Sequence, residues 1–304
     1  MEQQQPTLDN TPRSRRPAWQ LWTLITTALI LPMFVAPVLA PTLGLRLDSV
    51  ITRLIMILGV SALLWYFGFP TRAWCREVAG AHPWRGLLGS LLVTVIFCSL
   101  YSLTLIYMGA ERMRPEIFRP DRLATAVFTG LLVSVVEEPV FRHTMLRGLS
   151  LRGRFWVGAV LSSGVYALAH YARPDKVPTQ ASFDLNDSLA VYSEMLGNLL
   201  GPFHDPVPFV GLFLLGLLLC TVVRRAGLAW TIGIHAGLVY YVKADACLLY
   251  WNFAERDWLF GSGPIKYDGA LFWLTCGLFL LGLGLRPGRQ TPFVPPSSRV
   301  HSKS

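Results

Sequence analysis

The sequence predicts an all-α, polytopic membrane protein: a bundle of about eight transmembrane helices. Three observations carry this. Hydrophobic residues make up 53% of the 304-residue chain and charged residues only 15%, where a soluble domain carries roughly 25% charge. Mean hydropathy is +0.45. Apolar runs long enough for a bilayer core, about 20 residues each, recur along the chain between short basic connections. The same figures exclude a disordered, collagen-like or coiled-coil chain.

In chain order, residues 1–18 are polar and basic and read as a disordered cytoplasmic tail. The run 19–42 is long, contains Pro32 and Pro37, and has Pro41 just after its best small-residue cleavage site, so it reads as a retained helix and not as a signal peptide. Further spans are expected at about 49–69, 84–109, 122–147, 155–172, 206–222, 227–250 and 267–285. The transmembrane domain therefore covers 19–285, with residues 286–304 a second polar, Pro-rich tail. Arg53, near the start of the second span, can snorkel to the interface. Between spans five and six, Leu185, Leu189, Tyr192, Leu196 and Leu199 recur at helical spacing, which predicts an amphipathic helix in the membrane interface, packed over the bundle.

The formal net charge of +9 would suggest a nucleic-acid surface in a soluble chain. Here the basic residues flank apolar runs, so they are read as topology charge and no nucleic-acid partner is expected. With the N-terminus inside, the inside segments hold 15 Lys and Arg and the outside loops nine. Both termini are therefore expected in the cytoplasm, against a counterweight of Arg112, Arg114, Arg119 and Arg122 in one outside loop. The preference for Arg over Lys favours a bacterial plasma membrane. The five cysteines include no C-x-x-C, and Cys98, Cys220, Cys247 and Cys276 lie in apolar runs, which argues against a disulfide framework or a cysteine zinc site.

Ionisable residues inside spans are costly, about 2.5–3.5 kcal/mol for a central acidic residue on insertion scales, and each is a candidate for function. The fourth span carries Glu137-Glu138-Pro139 followed by Arg142 and His143. Glu138 and Arg142, at i, i+4, share a face and can pair, chiefly as a structural anchor. Glu137 points about 100 degrees away, without a partner in its own helix, which makes it the candidate general base. Pro139 lacks an N–H and frees the carbonyl of Val135, predicting a kink beside the carboxylates. His143, near the helix end, reads as interfacial. The fifth span places Tyr166 and His170 at i, i+4, and the seventh carries His235 in Gly233-Ile234-His235-Ala236-Gly237. At 1.5 Å per residue, Glu137 lies about 15 Å from Arg147, His170 about 24 Å from Arg154 and His235 about 15 Å from Arg225, so all three can meet near the bilayer middle. A single buried histidine is more often a hydrogen-bonded packing residue than a catalytic one; three helices converging on one depth is the stronger signal. Lys243, two turns beyond His235, either snorkels or pairs with Asp245 or a carboxylate.

Glu137-Glu138-x-x-x-Arg142, the aromatic-x-x-x-His of Tyr166 to His170, and a third motif opening at His235 resemble the CPBP intramembrane proteases, the type II CAAX endopeptidase or Abi family. The resemblance covers about residues 120–250. It implies an eight-helix bundle with an active site sunk in the membrane, and endoproteolysis of membrane-associated or CAAX-like C-terminal peptides. Carried over, Glu137 activates water with His170, His235 stabilises the oxyanion, and Glu138 and Arg142 hold the first motif. Two positions depart from the family pattern: Tyr166 stands where Phe is usual, and Val239 where the third motif usually has Asn. The second removes an expected oxyanion donor, for which Tyr166, Tyr240 and Lys243 are candidate substitutes.

The family has been described with both zinc-dependent and glutamate-type chemistry. A metal-free mechanism is favoured here, because the sequence lacks the H-E-x-x-H spacing that sets two ligands on one helix face and Arg142 engages Glu138. Zinc held by His170 and His235 is the alternative. Two other functions use the same residues: a proton-coupled transporter, which expects an inverted repeat that the sequence lacks, and a catalytically inactive membrane scaffold of the same family, motivated by Val239. The expected partners are the lipid bilayer and a membrane-associated protein or peptide substrate.

Overall fold

The computed structural model describes residues 17–67, 82–109, 111–114, 119–150, 154–174, 177–251, 257–261 and 266–285. The expected tails, apart from the residues adjoining the first helix, lie outside the described residues. Each expected span is occupied by a helix: α1 Ala18–Thr42, α2 Leu47–Phe67, α3 Pro83–Tyr107, α4 Pro120–Glu138, which continues through a π-helical segment Pro139–Met145 into the short α5 Leu146–Leu149, α6 Phe155–Tyr171, then, beyond α7 Leu185–Asn198 and α8 Gly201–His204, α9 Pro206–Ala226, α10 Leu228–Leu248 and, after α11 Asp257–Phe260, α12 Ala270–Leu285. Four stretches, 19–42, 83–107, 120–149 and 206–226, are by themselves long and apolar enough to cross a membrane. The chain is an all-α integral membrane protein.

The outer faces are apolar and the interior is small and polar, as expected where lipid replaces water. On α3, Leu88, Leu92, Ile96, Leu100 and Leu103 are exposed, while Gly86, Ser90, Thr94, Cys98 and Ser102 are buried at intervals of four residues. Trp84 and Tyr107, 72% and 93% exposed, cap this helix about 35 Å apart, close to the roughly 30 Å of a bilayer core. On α4 the buried residues are Ala126, Gly130, Ser134 and Glu138, again four apart. α10 packs along α3 on one side and α4 on the other. A Cβ on Gly130 would lie 2.6 Å from the Ala236 carbonyl oxygen, and one on Gly237 would lie 2.8 Å from Cβ of Thr94. These contacts hold α10 close to both neighbours just beyond His235.

The turn from α9 to α10 is a single residue, Gly227, at φ 94°, ψ 171°, a region essentially restricted to glycine. The expected amphipathic helix is α7. Asp184 caps it, accepting from the Asp187 N–H while the Asp187 carboxylate accepts from the Asp184 N–H. Its buried Val191 packs against Ala36 and Ala40 of α1 and Leu47, Val50 and Ile51 of α2, and Tyr192 donates to the Leu29 carbonyl.

Two features correct the sequence reading. The end of the seventh expected span is not helical: Leu249–Trp251 forms a strand, β2, paired antiparallel with β1, Glu111–Met113. That pairing draws in the outside loop counted above, where Arg114 lies 3.6 Å over the Tyr250 ring and Arg119 pairs with Asp121. The fourth span does not kink as a simple proline-broken α-helix; it widens into the π-helical segment 139–145.

Candidate active site

The site forms where α4 ends. Pro139 cannot donate to the preceding turn, and the backbone resolves this by widening from i→i+4 to i→i+5 bonding, a geometry common at functional sites. The Ser162 hydroxyl of α6 donates to the Phe141 carbonyl at 2.8 Å, tying the widened turn to α6. Arg142 thereby places Nε 3.4 Å from Oε2 of Glu138, with both side chains fully buried. Its guanidinium lies 4.6 Å over the Tyr166 ring and 5.8 Å from that of Phe141, and its three nitrogens make no hydrogen bond among the described residues. Charge and aromatic faces hold it.

His235, 3% exposed, brings Nδ1 to 2.8 Å from Oε1 of Glu138 and Nε2 to 4.0 Å from Oε2 of Glu137. Glu138 is thus engaged on both oxygens, by a histidine from α10 and an arginine from its own helix. The Glu137 side chain keeps 19% of its surface open. His170, in the last turn of α6, sets Nδ1 2.9 Å from the Tyr166 carbonyl oxygen. A carbonyl only accepts, which assigns the proton to Nδ1 and leaves Nε2 as a free lone pair. Tyr166, 1% exposed, stands at the centre: its ring is 4.5 Å from that of His170, 5.3 Å from Phe141 and 6.1 Å from His235.

Glu137, Tyr166, His170 and His235 share the wall of a cavity of 720 Å³. The rest of its lining is mostly apolar, including Phe97 of α3, Leu215 and Leu218 of α9 and Phe279 of α12. Such a space, with a few converging polar groups, suits an apolar ligand chain.

The six residues singled out in the sequence therefore converge, with one change in connectivity. His235 is anchored on Glu138, not left as a free neighbour of Glu137. Of the candidate substitute donors, Tyr166 and Lys243 line the cavity together with Val239, while Tyr240 does not; its backbone nitrogen meets Gly130 at the α4–α10 contact. Lys243 makes no ion pair among the described residues, and Asp245 accepts from Ser102 at 3.3 Å, with the Tyr241 hydroxyl 3.0 Å from the same Ser102 oxygen. The sequence reading missed this second polar group, although an acidic residue inside a span was already the signal used for Glu137. His143 is half-buried in the π-helical segment.

For zinc, the donor set is two free His Nε2 atoms and Glu137. Among the described residues no group of three or more His, Cys, Asp or Glu side chains is arranged to hold a metal ion.

Fold and site together define a helical integral membrane protein with a glutamate–histidine centre opening into an intramembrane cavity. Residues 119–241 match the family model of the Rce1-like type II CAAX prenyl endopeptidases. The match spans α4 to α10, every helix that supplies a site residue. No curated protein and no solved structure matches the chain.

Proposed function

We propose that the chain is an intramembrane endopeptidase that hydrolyses peptide bonds in membrane-associated or CAAX-like C-terminal substrates. The observation that carries this reading is the division of labour between adjacent carboxylates. Glu138 is fully buried and spent on Arg142 and His235, whereas Glu137 lines the cavity with 19% of its side chain open, its Oε2 buried without a hydrogen-bond partner among the described residues and 4.0 Å from His235 Nε2. That gap is too long for a direct hydrogen bond and suits one bridging oxygen.

In this reading a substrate carbonyl enters the cavity beside Glu137. Glu137 takes a proton from a water whose other hydrogen is held by His170 Nε2. The water oxygen bonds to the carbonyl carbon, and the C=O π pair moves onto oxygen, facing His235. Because His235 Nδ1–H is committed to Glu138, donation from Nε2 to that oxygen requires a second proton on the ring. The charges then balance: Arg142 and His235 against Glu137 and Glu138. The C–N bond breaks as Glu137 returns its proton to the departing amine. Residence in a bacterial plasma membrane with both termini cytoplasmic belongs to the same proposal.

The test compares C-terminal peptides of membrane proteins, by mass spectrometry, in cells carrying the native chain and cells carrying Glu137→Gln. Accumulation of uncut precursors with the variant supports the reading, and those precursors name the substrates. Coinciding profiles, where deletion of the chain has an effect, would instead leave the inactive scaffold.

A further inference from the structure

We propose that the Tyr166 hydroxyl is a catalytic oxyanion donor of this site; the inference rests on the endopeptidase reading above. On the site helices the N–H donors beside Glu137 are engaged, and Arg173, just beyond α6, lies on the same cavity wall. His170 Nδ1–H is spent on the Tyr166 carbonyl at 2.9 Å. His235 Nδ1–H is spent on Glu138 at 2.8 Å. Arg142 is sealed behind the Tyr166 ring, 0% exposed at its side chain. Val239, on the same wall, has no donor in its side chain. Among the described residues the Tyr166 hydroxyl has no hydrogen-bond partner, while its ring packs on Phe141, His170 and His235. Tyr166 shares the cavity wall with Glu137, His170 and His235.

An O–H group so placed meets the two requirements for stabilising a developing oxyanion. The first is preorganisation. The ring is clamped edge-on by Phe141 at 5.3 Å and His235 at 6.1 Å, against His170 at 4.5 Å and beneath the Arg142 guanidinium at 4.6 Å, so the hydroxyl reorganises little as charge appears. The second is polarity. A cation over the ring face draws electron density from the phenol, making its O–H a stronger donor. A neutral phenol also donates without the second proton that His235 needs, so it serves in either protonation state of that histidine.

The step balances without a further reactant. As the water oxygen bonds to the carbonyl carbon and the π pair moves to oxygen, Tyr166 donates a hydrogen bond to that oxygen and keeps its proton. The bond weakens again when the carbonyl re-forms and the C–N bond breaks.

The experiment uses Tyr166→Phe, which removes one oxygen and keeps every ring contact. Cells carry the native chain, Tyr166→Phe or Glu137→Gln in full length, and the readout is the rate at which the precursors accumulated by Glu137→Gln are converted. Removing one oxyanion donor lowers the rate about 100- to 1000-fold, so Tyr166→Phe is expected to slow conversion by that factor while its thermal unfolding in detergent matches the native chain. Conversion within twofold of native, with Glu137→Gln inactive, overturns this inference and leaves the endopeptidase reading standing. Unchanged conversion by Glu137→Gln overturns both. If Tyr166→Phe unfolds early, 3-fluorotyrosine at position 166 replaces it. That ring keeps its shape and carries a more acidic O–H; a rate that does not respond to it overturns the inference.

Discussion

Replacing Arg142 by Met tests the energetic core of the site. The substitution keeps an unbranched side chain of similar length but removes the cation 3.4 Å from the Glu138 carboxylate, where both side chains are fully buried. At an effective dielectric constant of about 20, a pair at that distance interacts by roughly 5 kcal/mol. Breaking a buried pair by removing one partner costs about 3–5 kcal/mol, because the other charge is left uncompensated. Arg142→Met should therefore destabilise the protein by about 3–5 kcal/mol. Glu138→Gln in the same background removes the stranded charge and keeps an acceptor for His235, so the double variant should recover at least about half of that loss. Buried thiols give the assay: Cys98, Cys220 and Cys276 are buried, so a thiol-reactive fluorophore reports unfolding of the detergent-solubilised protein. A double variant whose cost equals the sum of the two single costs would refute the pairing argument, as would an Arg142→Met protein within about 1 kcal/mol of native.

Two further outcomes follow from contacts outside the ion pair. Gly130→Ala places a Cβ 2.6 Å from the Ala236 carbonyl oxygen, so α4 and α10 must separate by several tenths of an ångström. Stability should fall by about 1–3 kcal/mol, and substrate conversion should fall further as the His235–Glu138 bond lengthens; native conversion with Gly130→Ala would show that this contact does not set the site. At Asp184, hydrogen bonds from the Asp187 N–H, chiefly, and from Asn186 hold the carboxyl below its ordinary value, net of a small opposing effect of burial. A folded-state value that is depressed means the cap's contribution is complete above the unfolded carboxylate value, near 3.9, and is lost as pH falls through the folded one. Pepsin cleavage within residues 177–205 should therefore rise between about pH 4 and pH 2 relative to an Asp184→Asn chain, whose acceptor does not titrate; parallel pH profiles for the two chains would count against the cap.

How much of this was legible in the sequence depends on the range of the interaction. Spans are set by bilayer thickness, a property of single helices; each of the eight expected runs holds a helix, and four of these are by themselves long and apolar enough to cross. The Glu138–Arg142 pair is an i, i+4 relation and survived even the passage into a π-helical segment. Pro139 announced a freed carbonyl at Val135 but not the widened turn that follows, whose Phe141 carbonyl accepts from Ser162 of another helix. The strand pairing of Glu111–Met113 with Leu249–Trp251 left no periodic trace in three-residue segments.

The connectivity of the histidines was the larger gap. Depth arithmetic brought Glu137, His170 and His235 to one level but left open the rotation of α10 about its own axis, and that rotation makes Glu138, not Glu137, the anchor of His235. The information was nevertheless present. Ala126, Gly130, Ser134 and Glu138 recur every four residues on α4, and Gly130 meets the Ala236 carbonyl of α10 at backbone distance. Small residues at this spacing mark the face along which two membrane helices approach most closely. The small stripe on α4 ends in Glu138, so the carboxylate that continues it is the one that meets the opposing helix and is consumed as a support. Its neighbour, about 100 degrees round the helix, is left facing the cavity. The packing stripe thus determines which of two adjacent glutamates is structural and which is available for chemistry.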